Sequence, residues 1–267
     1  MIHDFYLYRS AWRYFGAHDK EPELSPTECK ELLRQGGIMV RNTYDFDQKE
    51  ISSFWYVIKD KCEPNDLNAR DRNKIRNAND AFSYELIDEK TLREKGYAII
   101  KETFDDYRIN DRKMNQSVFE AYLNECKQGD FDYWGIFEKG NHQLAGFCVV
   151  HDWKDCCEYG VTGILTKYKR NGTYPYYGLY DTMNKYYLLE KNYKFVSDSS
   201  RTITEHSQIH DFLIQHFNFR KAYCQLAVHY NWWMKIAVNL LYPFRNIITL
   251  PRIKAVLNME AMQRGAK

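Results

Sequence analysis

Candidate proton-transfer groups follow a short apolar run. Phe195 and Val196 lead into Asp198-Ser199-Ser200-Arg201, and the polar stretch continues through Glu205, His206 and His210. Carboxylates and imidazoles just past a strand suit acid–base work, because a strand-to-helix loop presents side chains from a rigid support. Asp198, Glu205 and His206 are therefore the candidate catalytic residues, with Glu205 and His206 taking a proton directly or through water and Asp198, Ser199 and Arg201 placed to orient an acceptor. The serines, with Thr202 and Thr204, equally suit capping of the next helix, and His206 and His210 equally suit its solvated face.

A second polar run, Lys167 to Pro175 (KYKRNGTYP), precedes another helical pattern. Backbone N–H groups at a helix start, aided by the positive end of the helix dipole, bind phosphate without a dedicated side chain. Lys169, Arg170, Asn171, Gly172, Thr173 and Tyr174 are the candidate phosphate contacts. A third set lies in Leu67 to Ala81, where Arg70, Arg72, Lys74 and Arg76 occupy every second position. On a helix that spacing scatters charge over more than one face, while Arg72 and Arg76 share one at i, i+4. The segment reads either as a solvated helix or as one that contacts substrate or phosphate. His206 and His210 have metal-pair spacing without a third ligand, so no metal is expected. His-Glu-x-x-His, Gly-x-Ser-x-Gly, Walker and dinucleotide motifs do not occur.

These groups need elements to hold them. Tyr133 to Phe137 and Leu144 to Val150 are β-rich runs joined by Glu138-Lys139-Gly140-Asn141-His142, which predicts a hairpin. A third strand is expected over Glu158 to Leu165, where Gly160 and Gly163 signal a bulge or a close backbone approach. Helical spacing runs from Tyr176 to Lys191, with Pro175 suited to the first turn. After the strand at Phe195, a helix is marked by Ile209, Phe212, Leu213, His216 and Phe217, and Tyr223 to Tyr230 reads as the next strand. The order is hairpin, strand, helix, strand, helix, strand.

That order, with the phrase Phe212-Leu213-Ile214-Gln215-His216-Phe217-Asn218-Phe219-Arg220, resembles the GNAT acyl-CoA N-acyltransferase superfamily over roughly residues 90 to 231. The resemblance implies a mixed α/β, GNAT-like fold with an N-terminal extension and a C-terminal helical tail. It further implies that the third strand splays from its neighbour, with acyl-CoA, expected to be acetyl-CoA, as co-substrate. Its pantetheine would lie along Thr162, Gly163, Ile164 and Leu165, and its pyrophosphate on the turn from Lys169 to Tyr174. The implied reaction is direct attack of an acceptor amine in a ternary complex. Two departures stand out. Arg170-Asn171-Gly172-Thr173-Tyr174-Pro175 replaces the usual Gln/Arg-x-x-Gly-x-Gly/Ala loop, and Ile214 stands where the superfamily often has a general-acid tyrosine. With the long N-terminal extension, they resemble the divergent branch near the FemABX-like peptidyl transferases. In that branch a basic helix like Arg72-Asn73-Lys74-Ile75-Arg76 recurs, making Arg72 and Arg76 candidate substrate contacts. The branch implies an alternative activity, aminoacyl transfer from charged tRNA to a cell-envelope precursor. A non-catalytic binding module is a further alternative.

The chain is thus expected to divide into an α/β extension (1–89), the acyltransferase core (90–231) and a helical tail (232–267). In the extension, Ser25 or Thr27 suits the cap of a helix through Cys29, Leu32 and Leu33, closed by Gly36-Gly37. Ile38 to Tyr44 and Ser53 to Ile58 are strands expected to form a small sheet of their own, and Phe82 to Ile87 is another strand. Lys90 to Phe104 and Gln116 to Lys127 are expected helices. In the tail six cations face one Glu260, among Trp232, Trp233, Leu240, Leu241, Tyr242, Phe244, Ile247 and Ile248. Lys235, Asn239, Pro243 and Arg245 break the apolar run before it reaches membrane-spanning length, so the tail packs on the core or touches an anionic membrane surface.

A hydrophobic content of 44% in 267 residues supports a sizeable core, and a formal charge of only +2 implies no global field for polyanions. DNA is not an expected partner, and tRNA is one only under the aminoacyl alternative. The expected partner is a small-molecule or envelope-precursor amine. The 22 tyrosines indicate amphipathic packing with a hydrogen-bonding tip. Seven cysteines without Cys-x-x-Cys spacing read as reduced, and Met1-Ile2-His3-Asp4-Phe5 lacks a secretory pattern. A cytoplasmic protein is expected, at the inner face of the membrane if the tail meets lipid.

Overall fold

A computed structural model describes residues 4–8, 10–62, 66–105, 115–126, 130–169, 171–201 and 208–265. The chain opens with two short strands, β1 (Phe5–Tyr8) and β2 (Ala11–Tyr14). Helix α1 (Pro26–Arg34) starts at a capping box, in which the Glu28 carboxylate accepts from the Ser25 N–H (2.8 Å) and Ser25 Oγ accepts from the Glu28 N–H (3.3 Å). It stops before Gly36 and Gly37, whose φ values of +130° and +78° only glycine adopts readily. Strands β3 (Met39–Gln48) and β4 (Phe54–Asp60) follow, then α2 (Ala69–Ala81), β5 (Phe82–Ile87), α3 (Glu89–Asp105) and α4 (Gln116–Cys126). β6 (Phe131–Glu138), β7 (Leu144–Asp152) and β8 (Cys156–Ile164) form a meander. α5 (Pro175–Asn184) continues into a π-helical stretch, Lys185–Glu190. The chain ends with β9 (Phe195–Ser200), α6 (Gln208–Phe217), β10 (Arg220–Tyr230), α7 (Trp232–Leu241) and α8 (Pro251–Gln263).

The chain forms two compact units. One unit comprises 1–57, 200–210 and 220–267, and the other 58–199 and 211–219. In the first, β10 pairs antiparallel with β3, from Tyr223↔Gln48 to Tyr230↔Met39, and lies between β3 and β4. The two early strands therefore form no sheet of their own, because β10, from the far end of the chain, is inserted between them. α7 and α8 pack on β10 and bury Val238, Leu257, Met259 and Met262. α8 is pinned by hydrogen bonds from Val228 N–H to Gln263 Oε1 and from Ser53 Oγ to the Met262 carbonyl.

In the second unit the strand order is β9-β8-β7-β6-β5. Successive strand residues face opposite sides of a sheet. Phe147 and Val149 of β7 accordingly join Leu92, Ile99 and Ile100 of α3 and Phe119 and Leu123 of α4 in one core. On the other side, Tyr159 packs against Tyr180 and Tyr187 (ring centroids 5.7 and 6.3 Å). Their polar tips are satisfied: Tyr159 Oη donates to Asn184 Oδ1 (2.8 Å), and Tyr187 Oη donates to Asp132 (2.7 Å) while accepting from Trp134 Nε1 (3.0 Å).

Candidate functional site

β8 and β9 run parallel but pair over only three positions, Cys156↔Phe195, Cys157↔Val196 and Glu158↔Ser197. β8 then continues beside β7 to Ile164, so the edge of β8 beyond Glu158 has parted from β9. The Ile164 N–H donates to Thr103 Oγ1 of α3 (3.0 Å), which in turn donates to the Ile164 carbonyl (3.1 Å). These groups therefore point away from β7, and the two-residue alternation of the antiparallel ladder turns the Thr162 backbone the same way. Gly163 faces β7, and the Leu165 N–H donates to the Ala145 carbonyl (2.9 Å). Of the four positions expected to line the donor, Thr162 alone presents its backbone to the gap without a competing α3 contact. The ladder slips between Cys148 and Val150, where a Cβ on Gly160 would meet the Val149 carbonyl at 2.9 Å.

Asp198 lies on β9 just past the last paired residue and is 7% exposed. Burial first, and then the charge of Glu158, hold its carboxyl well above the usual carboxylate range. On α5, burial foremost, followed by the charge of Asp198, raises the phenol of Tyr180, against a smaller lowering influence of the nearby Thr162 side chain. Thr162 Oγ1 also donates to Cys148 Sγ (3.2 Å), and Ser197 Oγ is buried without a hydrogen-bond partner among the described residues. Ser199 has a left-handed φ of 70°, a strained conformation for a residue with a Cβ. Asp198, Tyr180, Thr162 and Cys148 thus make a polar cluster where the two strands part. The sequence singled out Asp198, Ser199 and Thr162 but not Tyr180, whose only signal was its place on an apolar helix.

The turn before α5 has φ values of +79° at Gly172 and +51° at Tyr174. Two of its backbone donors are used internally. The Thr173 N–H and Oγ1 both donate to Asn171 Oδ1 (3.1 and 2.5 Å), Pro175 has no N–H, and the Tyr177 N–H donates to the Tyr174 carbonyl (2.9 Å). A cation reaches this helix start from α2. Lys74 Nζ donates to Tyr177 Oη (2.6 Å) and lies 4.4 and 5.7 Å from the ring centroids of Tyr177 and Tyr174. Lys74 was visible only as one of four alternating cations, since nothing in the sequence shows that α2 packs on α5.

The remaining expected residues fall elsewhere. Arg72 and Arg76 line a cavity of about 300 Å³ with Lys59, Asp66, Asp181 and Lys185, and no residue of the strand gap lines it. Arg72 donates to the Leu67 carbonyl and Arg76 to Asn73 Oδ1 (2.7 Å). Arg201 belongs to the other unit, where its guanidinium sits 4.4 Å from the Trp55 ring centroid and donates to the Ser53 carbonyl (2.5 Å). His210, which suited either the polar run or a solvated face, is buried. Arg170, Glu205 and His206 lie outside the described residues. Among the described residues no group of His, Cys, Asp and Glu is arranged to hold a metal.

No protein family and no curated protein matches the sequence. Among solved structures, FemX superposes with a TM-score of 0.50 at 10% identity, over 76% of this chain and 68% of FemX. The C-terminal domain (DUF2156) of a putative lysylphosphatidylglycerol synthetase from Agrobacterium fabrum gives 0.49 at 10% identity, over 78% and 66%. A tandem GNAT protein from the clavulanic acid biosynthesis pathway gives 0.42 at 13%, over 75% and 67%. The fold is a mixed α/β, GNAT-like one similar to that of FemX, and identities this low speak to the fold alone.

Proposed function

We propose that this chain is an acyltransferase that moves an acyl group from acyl-CoA, with acetyl-CoA the expected form, to an acceptor amine. The observation that carries this reading is the parting of β8 from β9 after Glu158, with the Thr162 backbone and the buried Asp198 on the two sides of the gap. A backbone N–H fixed at such an edge polarises a thioester carbonyl without reorganising. Asp198 takes a proton from the amine directly or through water, and its raised pKa brings it toward the range where a base works efficiently. The amine nitrogen bonds to the thioester carbon, the C–S bond breaks, and the thiolate receives a proton. Ile214 has no proton to give, so Tyr180, near Thr162 and Asp198, is the candidate donor. Lys74 holds the donor's phosphates at the start of α5, and Ser199 orients the acceptor, a small molecule or an envelope precursor.

A second reading replaces the thioester with an aminoacyl ester on tRNA. It is favoured by the 171–177 turn, where the Thr173 and Tyr177 N–H groups are used internally and Pro175 has none, so fewer backbone donors remain for a pyrophosphate. Thermal shift separates the two. A ligand at 100 times its dissociation constant stabilises by about 2.7 kcal/mol, so CoA, acetyl-CoA or a longer acyl-CoA should raise the melting temperature measurably. If no CoA species does so while an aminoacyl-adenosine ester does, the donor is an aminoacyl ester.

A further inference from the structure

We propose that the outer face of α7, with the turn that follows it, docks the protein onto an anionic lipid surface. Helix α7 is anchored on its inner side, where Val238 is buried and the Met234 N–H donates to Asn231 Oδ1 (3.0 Å) at the N-cap. Its outer side is apolar and faces water: Trp232 is 76% exposed, Leu240 67%, Ile236 53% and Trp233 47%. At about 100° per residue these four side chains fall within roughly 100° of arc. Beyond the helix, Phe244, Ile247 and Leu250 are exposed to similar degrees. The apolar surface also adjoins β1, since exposed Leu7 lies against Gly37, whose carbonyl accepts from Asn231 Nδ2 (3.5 Å). Contiguous exposed apolar groups on this scale mark an interaction surface.

Charge selects the occupant. Residues 231 to 259 contain Lys235, Arg245, Arg252 and Lys254 and no acidic residue, and the next acid, Glu260, is buried against Arg264 (2.7 Å). A two-fold contact with a second copy would bring this patch against itself and set cations against cations. A bilayer surface with anionic headgroups neutralises them and accepts tryptophan at the level where apolar and polar regions meet. No described helix is long and apolar enough to cross a membrane, so α7 lies in the surface plane.

The test is co-sedimentation of the full chain with vesicles of phosphatidylcholine alone or mixed with phosphatidylglycerol, at low and high salt. The mixed vesicles should pellet the protein, phosphatidylcholine alone should do so far more weakly, and salt should weaken the binding. Trp232→Ser/Ile236→Ser/Leu240→Ser removes exposed side chains only, so its melting temperature should match the parent while vesicle binding falls at least about 100-fold. Lys235→Gln and Arg252→Gln should each lower binding about five-fold. The proposal is overturned if mixed vesicles at low salt leave the protein in solution, or if the triple variant binds them as well as the parent. It is also overturned if light scattering finds a dimer that the triple variant makes monomeric, for then a second copy covers the face.

Discussion

Replacing Asp198 with Asn should stabilise the protein at neutral pH while removing its transfer activity. The folded carboxyl is buried beside Glu158, so its pKa lies well above the usual range, whereas in the unfolded chain it returns to about 3.9. Between those two values the folded state keeps a proton that the unfolded state has released. Stability therefore falls as pH rises through that window, by up to about 1.4 kcal/mol per pH unit, and levels off above the folded pKa. Asn keeps the shape of the side chain but has no proton to lose, so D198N should lack that slope and overtake the parent as pH rises. If Asp198 is the base, release of free thiol from acyl-CoA should fall by roughly 10²- to 10⁴-fold in the same variant. Urea unfolding of both proteins from pH 4 to 8, beside a thiol-release assay, measures the two effects. The reasoning is refuted if D198N is less stable than the parent at pH 7 and its stability follows pH in parallel, because the carboxylate would then be a charged structural group.

Lys74→Met should weaken CoA binding about tenfold by calorimetric titration, the cost of one charged hydrogen bond, while Arg72→Met should leave it unchanged because Arg72 lines the separate cavity. Gly178→Ala places a Cβ inside the Tyr84 ring and hydroxyl, so it should cost about 1–3 kcal/mol by chemical unfolding, and adding Tyr84→Ala should reduce that cost in a double-mutant cycle. Ser25→Ala breaks the capping box of α1 and should cost about 1 kcal/mol of stability without altering transfer.

The elements between Phe131 and Tyr230 were legible because each carries one clean period. β6 and β7 have glycine-asparagine chemistry between two β-rich runs, and α5 has proline at its first position. β1 and β2 were not legible, since their residues are all half-buried or exposed and give no alternation of apolar and polar faces. The π-helical stretch Lys185–Glu190 also passed as ordinary helix, because one extra residue per turn leaves an aromatic-rich face apolar either way. The insertion of β10 between β3 and β4 is set by pairing across most of the chain, which no local window reports.

The site was half legible for a related reason. A carboxylate at a strand end can be read from sequence, and Asp198 was. Its burial depends on what α5 lays over it, and so does the place of Tyr180 beside Thr162. Cations at every second position of a helix cannot say which of them meets a neighbour, and it was Lys74 rather than Arg72 or Arg76 that met Tyr177 at the start of α5. The turn before α5 carries the same lesson in sharper form. Asparagine, threonine and proline made residues 171–175 read as a turn at a helix start, hence as a phosphate cradle. Each of them makes a turn by occupying or lacking a backbone donor: Asn171 takes the Thr173 N–H and Pro175 has none. The features that made the segment recognisable thus also occupy one of its backbone donors and remove another, while Lys74 is the cation that reaches the same helix start.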